Sequence, residues 1–194
     1  MMPILSDMDI LLSFFLGVGL AASAGFRVFL PLLVLGLSAH LGLLPLGEGW
    51  TWLAARPVLI ALAVASVLEI VAYFVPWLDN ALDAAAIPLA SAAGTLLVAS
   101  SLTEAEPMWQ WGLAIVAGGG TAGTIKGSSA GARLTSTAAT AGLANPVVSA
   151  VETAASIVLA GLAVLAAPVA FVLAIAVVAF LIWFYRRMFS GPGA

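Results

Sequence analysis

The chain has 194 residues, 63% of them hydrophobic and 8% charged. A soluble domain carries roughly a quarter charged residues, so water could not wet a surface of this composition, and the whole chain, 1–194, reads as one polytopic domain in lipid. A net charge of −3, with no basic cluster beyond Arg186-Arg187, gives nucleic acid no electrostatic footprint, and zero cysteines exclude disulfides, thiolate catalysis and zinc–thiolate sites.

In chain order, the opening "MMPILSDMDILLSFF" puts Asp7 and Asp9, with no basic neighbour, ahead of the first apolar run. That pattern argues against a cleaved signal peptide. Apolar runs then follow at Ile10–Phe26, Val28–Leu46, Pro57–Val75, Ala84–Leu102, Trp109–Ile125, Val147–Ala167 and Pro168–Tyr185. None alternates as a barrel strand would, and about 20 apolar residues make one helical crossing. The expected fold is therefore an all-α membrane bundle of about six to seven helices. Pro57 after Arg56 and Pro146 after Asn145 mark two helix starts, Asn145 being a good cap. Trp50, Trp52, Trp77, Trp109, Trp111 and Trp183 sit near run ends, as an aromatic belt would. His40 stands alone and reads as packed or interfacial.

Two segments break the apolar pattern. "AGGGTAG" at Ala117–Gly123 lacks the Gly-Lys-Ser/Thr ending of a phosphate loop, so its glycines read as a close helix–helix approach. Gly127–Leu143, "GSSAGARLTSTAATAGL", is too small and polar for a lipid-facing span. It is expected to be a re-entrant or broken helix, the alternative being a polar loop with a small-residue packing face.

"VASVLE" at Val64–Glu69 and "VVSAVE" at Val147–Glu152 share Val, Ser and Glu at one spacing. Each follows a Pro-initiated helix start, and each lies downstream of a cation, Arg27 or Lys126, that ends an apolar run. The chain is thus expected to hold two related, perhaps inverted, halves over about 10–102 and 109–187. Inversion would require one segment per half not to cross, with Gly127–Leu143 the candidate. Arg186 and Arg187 place the C-terminus on the cytoplasmic side.

"SAGFRVFLPLLVLGL" (Ser23–Leu37), "VPWLDNALD" (Val75–Asp83), "AGGGTAG" and "STAATAGLANPVVSAVE" (Ser136–Glu152) together resemble the DUF4126 family of uncharacterised bacterial multi-pass membrane proteins. The resemblance covers nearly the whole chain and implies a helical protein of the bacterial cytoplasmic membrane. It brings no activity with it. Ala144 stands where that family's Gly-Asn-Pro segment has glycine.

The candidate site residues are the ionisable groups inside the runs and the hydroxyls beside them. Arg27, Lys126 and Arg133 face four carboxylates, Glu69, Asp79, Asp83 and Glu152. One charge at the centre of a spanning helix costs about 2.5–3.5 kcal/mol, so such groups are expected to face a bundle interior and to pair. Asp79 and Asp83 are four apart and share a helical face, where they would bind a cation, unless Asp79 caps an interfacial corner. Glu69 and Glu152 read either as a protonatable or cation-binding pair or as salt bridges that lock helix register. Ser66 and Ser149 share their faces as co-ligands, or bond back to their own helices. Thr137 and Thr140, with Thr135 and Ser136, offer oxygens beside the helix start at Asn145, where anionic groups are favoured.

No nucleophile elbow, His-Glu-x-x-His or cofactor fingerprint is present, so neither enzyme activity, a metal nor a cofactor is expected. The leading expectation is a small transporter or channel-like protein with a charged midplane site for a small ion or anionic solute. Its alternatives are a non-transporting scaffold or assembly factor, and a protein that handles lipid head groups. Monomer and homodimer are both compatible with the glycine faces.

Overall fold

The computed structural model describes the backbone of residues 3–72 and 76–189, and the side chains of 9–47, 49–72, 85–184 and 186–187. Among these residues there are eight α-helices and no strand: α1 (Pro3–Phe26), α2 (Phe29–His40), α3 (Arg56–Ala72), α4 (Pro76–Ser101), α5 (Pro107–Leu113), α6 (Gly120–Thr140), α7 (Asn145–Leu165) and α8 (Ala167–Phe189). A 3-10 turn, Glu48–Ala54, precedes α3, and a π-helical turn, Ala114–Gly119, joins α5 to α6. Among the described residues three helical stretches are long and apolar enough to cross a membrane: Asp9–Phe26, Asn145–Leu165 and Ala167–Phe184.

Proline decides where α1 stops. Pro31, buried in the first turn of α2, has no N–H for the carbonyl of Arg27, and its ring would press on that carbonyl in a continuous helix. The helix breaks at Arg27-Val28 and the chain turns back, so Pro45 comes to line the same recess as Asp9. The predicted run to Leu46 is cut short at His40, because Gly42 takes φ +72°. Leu43 N–H then bonds Ser38 O at 2.9 Å and Gly42 N–H bonds Ala39 O at 3.0 Å, a Schellman closure.

The expectation for Gly127–Leu143 is answered by length. Residues 107–140 stay helical throughout, through α5, the π turn and α6. At 1.5 Å per residue that path is about 50 Å long, well beyond a hydrocarbon core of about 30 Å. The small, polar stretch is therefore the far end of a long helix, ending in a left-handed Ala141 and Gly142 (φ 53° and 85°) that turn the chain into α7.

α1 is the hub. Leu20, Ala21, Ala22 and Ala24 on it are fully buried, and its glycines admit every neighbour closely. A Cβ on Gly17 would meet Val98 of α4, one on Gly19 would meet Ala163 and Ala170 of α7 and α8, and one on Gly25 would meet Ile125 of α6. Gly94 and Gly118 touch backbone to backbone, and Gly119 and Gly123 lie against Ser91, so these three glycines of "AGGGTAG" admit α4 closely. These contacts fix directions. α6 and α8 run with α1, since Gly25 meets Ile125, and Phe15 stacks on Phe171 while Phe26 and Leu181 share a pocket. α7 runs against it, with Ser23 on Ser156 and Gly19 on Ala163, and so does α4, which opposes α6 with Gly94 on Gly118 and Ser91 on Gly123.

These directions do not bring out the expected two related halves. The helices bearing Arg27 and Lys126 lie parallel, whereas an inverted repeat would oppose them. α3 runs with α1 and α7 against it, so the glutamate helices are antiparallel to each other. Glu69 also stands thirteen residues past the start of α3 and Glu152 seven past that of α7, about 9 Å apart in height on their own helices.

Candidate functional site

Five ionisable side chains converge where α1 turns into α2. All are buried, with Arg27 0% and Lys126 2% exposed. Glu69, near the end of α3, reaches the start of α2: its carboxylate accepts Val28 N–H at 2.8 Å and Phe29 N–H at 3.2 Å. Glu69 is thus a helix cap supplied from another helix, satisfying donors that the break at Pro31 leaves open. Lys126 serves the other half of the break. Its ammonium donates to Phe26 O, at the carbonyl end of α1, at 2.9 Å. It lies within electrostatic reach of Glu69, Glu152, Arg27 and Arg133.

Arg27 is held by α7. Its Nη2 donates to Ser149 O at 2.9 Å and Ser149 Oγ at 2.6 Å, and its Nε to Thr153 Oγ1 at 3.0 Å. Glu152, one turn on, stands 3.9 Å from the same Nη2. On its other side Glu152 accepts from Arg133 Nη2, from Arg133 Nε at 3.2 Å, and from Ser129 Oγ. One carboxylate therefore ties α7 to α6, against a guanidinium from the end of α1. Below this level Ser23 and Ser156 bond hydroxyl to hydroxyl at 2.8 Å.

Of the sequence candidates, Arg27, Lys126, Arg133, Glu69, Glu152 and Ser149 meet in this cluster. Ser66 does not; its hydroxyl bonds Leu62 O of its own helix. Asn145, Thr137 and Thr140 form a separate set at the α6–α7 turn. There Asn145 Nδ2 donates to Thr137 Oγ1 at 3.0 Å and Ala144 N–H to Thr140 Oγ1 at 3.2 Å, about 10 Å along α7 from Glu152. Asp79 and Asp83 lie on α4, and their side chains fall outside the described residues. His40 binds Ala54 O at 2.9 Å, closing α2 onto the 3-10 turn.

Sequence reasoning missed Ser129, Thr153, Ser23 and Ser156. Two of the signals were legible. Ser129 is one turn before Arg133, and Ser149, Glu152, Thr153 and Ser156 form a single stripe at helical spacing on α7.

A pocket reaches the cluster. A pocket of about 310 Å³ between α6, α7 and α8 is walled by Phe26, Ile125, Val148, Val151 and Leu181 and reaches Ser129 and Glu152. Among the described residues no group of three or more His, Asp and Glu side chains is placed to hold a metal.

A family model described as a domain of unknown function, DUF4126, matches residues 14–187. The chain belongs to this family. No curated protein and no solved structure matches it. The matched span of DUF4126 takes in every residue of the charged cluster, from Ser23 to Ser156.

Proposed function

We propose that this DUF4126 chain is a small transporter of the bacterial cytoplasmic membrane, its C-terminus cytoplasmic, and that the charged cluster is its exchange site. One observation carries the reading. Three helices of an otherwise apolar bundle and the break between α1 and α2 bring ionisable side chains into one cluster and bury them. Each such charge costs about 2.5–3.5 kcal/mol on insertion scales. Well-packed apolar residues would hold the same helices as firmly, so a purely architectural role gains little from them. Arg186 and Arg187 close α8, with Arg187 5.5 Å over the Trp183 ring, the pattern of a cytoplasmic anchor.

Glu152 is the exchange carboxylate in this reading and Glu69 a positioning group. The site binds and releases; it does no covalent chemistry. A scaffold reading is favoured by one fact, that both carboxylates are well supplied with donors. A lipid head-group reading draws on the three cations of the cluster.

Reconstitution into liposomes with a trapped pH dye, under imposed proton and then sodium, potassium, chloride, phosphate and alkylammonium gradients, separates these readings. The transport reading expects protein-dependent flux in at least one case, slowed at least tenfold by Glu152→Gln in protein that still elutes as a folded species. Flux no faster than in empty liposomes across the whole panel would remove it and leave the scaffold.

A further inference from the structure

The pocket beside Glu152 differs from a bare lipid-facing groove in what lies at its end. Its walls are apolar and come from α6, α7, α8 and the last residue of α1, and Val147 and Val151 at its rim are exposed on the bundle's outer face. Its polar end is the Glu152 carboxylate and the Ser129 hydroxyl, both more than nine-tenths buried. The guanidiniums of Arg133 and Arg27 stand behind that carboxylate and do not line the pocket. A molecule coming from the lipid therefore meets an apolar slot first and a negative acceptor last.

We infer that this pocket is a ligand site entered sideways from the bilayer, and that it takes a small lipophilic amine. The alkyl body lies against Phe26, Ile125, Val148 and Leu181, and the ammonium donates to Glu152 and Ser129. A carboxylate or phosphate head entering the slot would reach Glu152 before the guanidiniums behind it, whereas an ammonium meets an acceptor directly. About 310 Å³ suits a single short chain and sits at the small end of ordinary ligand cavities. An ammonium at Glu152 competes with Arg133 for the same oxygens. Binding thus loosens the tie between α6 and α7, which gives the site a way to couple occupancy to movement of two helices. The inference rests on the exchange role given to Glu152 above, and it names the substrate class.

The test uses purified full-length protein in phosphatidylcholine nanodiscs, titrated calorimetrically with octylamine, octanoate and octan-1-ol against empty nanodiscs. Octylamine is expected to bind saturably, with octanoate and octanol showing only bilayer partitioning. Glu152→Gln should weaken octylamine at least tenfold. Because that variant also breaks the buried pair, Val148→Trp supplies an independent arm. It fills the pocket from a half-buried wall without touching the clamp, and it should abolish saturable binding. Octylamine binding unchanged in Val148→Trp, no saturable binding at all, or octanoate binding as tightly as the amine would each overturn the inference. Binding is read here without any flux. A protein that binds the amine yet moves nothing removes the transporter and keeps this site, and flux without amine binding does the reverse.

Discussion

The tie between Arg133 and Glu152 lends itself to a double-mutant cycle. Glu152→Gln preserves shape and leaves an acceptor for Ser129, but it removes the charge between two guanidiniums. Arg133 then loses its carboxylate, and Arg27 loses the one 3.9 Å from its Nη2. At an effective dielectric of about 20, a pair at about 4 Å is worth roughly 4 kcal/mol, and removing one partner of a buried pair typically costs about 3–5 kcal/mol. Arg133→Met alone leaves Glu152 with Arg27 and Ser129, so its cost should fall toward the lower end, about 2–3 kcal/mol. In the double variant the Arg133 penalty is already spent, and only the weaker Arg27 contact is lost anew. The coupling energy should then be about 2 kcal/mol. Unfolding in mixed detergent micelles, followed by tryptophan fluorescence, measures all four corners. Costs that add to within about 0.5 kcal/mol would show that the two side chains do not act on each other, and the clamp would have to be abandoned.

The glycines give a second test. Gly118→Ala drives a methyl into the Gly94 backbone, which cannot step aside, and should cost about 1–3 kcal/mol, whereas Gly120→Ala meets nothing within 4 Å and should stabilise by about 0.5 kcal/mol; equal effects from the two in the same unfolding assay would refute the close approach. Single cysteines at Thr137 and Ser156 should part company in intact membranes. Thr137, exposed at the α6–α7 turn, should react with a water-soluble maleimide from the side that holds Arg186-Arg187. Ser156 is buried against Ser23 and should stay silent; labelling at Ser156, or at Thr137 from the opposite side, would contradict the helix directions.

The helices themselves were legible because hydrophobic runs, prolines and tryptophans are local signals. Their ends were less so. Leu41–Leu46 is as apolar as α2, and only the positive φ available to Gly42 stops the helix there. Gly127–Leu143 was misjudged for the opposite reason. Its polarity is real, but polarity excludes a span only if that segment alone must cross, and here it continues a helical path that begins at Pro107. The charged cluster was half legible. Burial in lipid predicts that Arg27, Lys126, Arg133, Glu69 and Glu152 turn inward; it does not say who pairs with whom, because pairing depends on helix directions that composition does not carry. Ser66 and Ser149 show the limit most clearly. Both precede a glutamate by three residues in a matched hexamer, yet one bonds its own helix and the other takes Arg27.

That contrast bears on how the two glutamates divide the work. Glu69 is held by N–H groups of backbone, whose positions the α1–α2 break dictates; removing its side chain would uncap α2 and disturb the reversal that brings Arg27 to α7. Glu152 is held by side chains, Arg133 and Ser129 on α6 and, more distantly, Arg27. Side-chain partners can rotate away at the cost of a rotamer, while backbone donors move only with their helix. A group that must let go and take hold again is better built the second way. The placement of the pocket agrees, since it reaches Glu152 and not Glu69. The fold therefore separates a carboxylate that caps the turn through backbone N–H groups from one that side chains hold at the end of a pocket. This asymmetry is what a true duplication would have hidden, and it makes Glu152, rather than the pair, the residue on which a transport mechanism would turn.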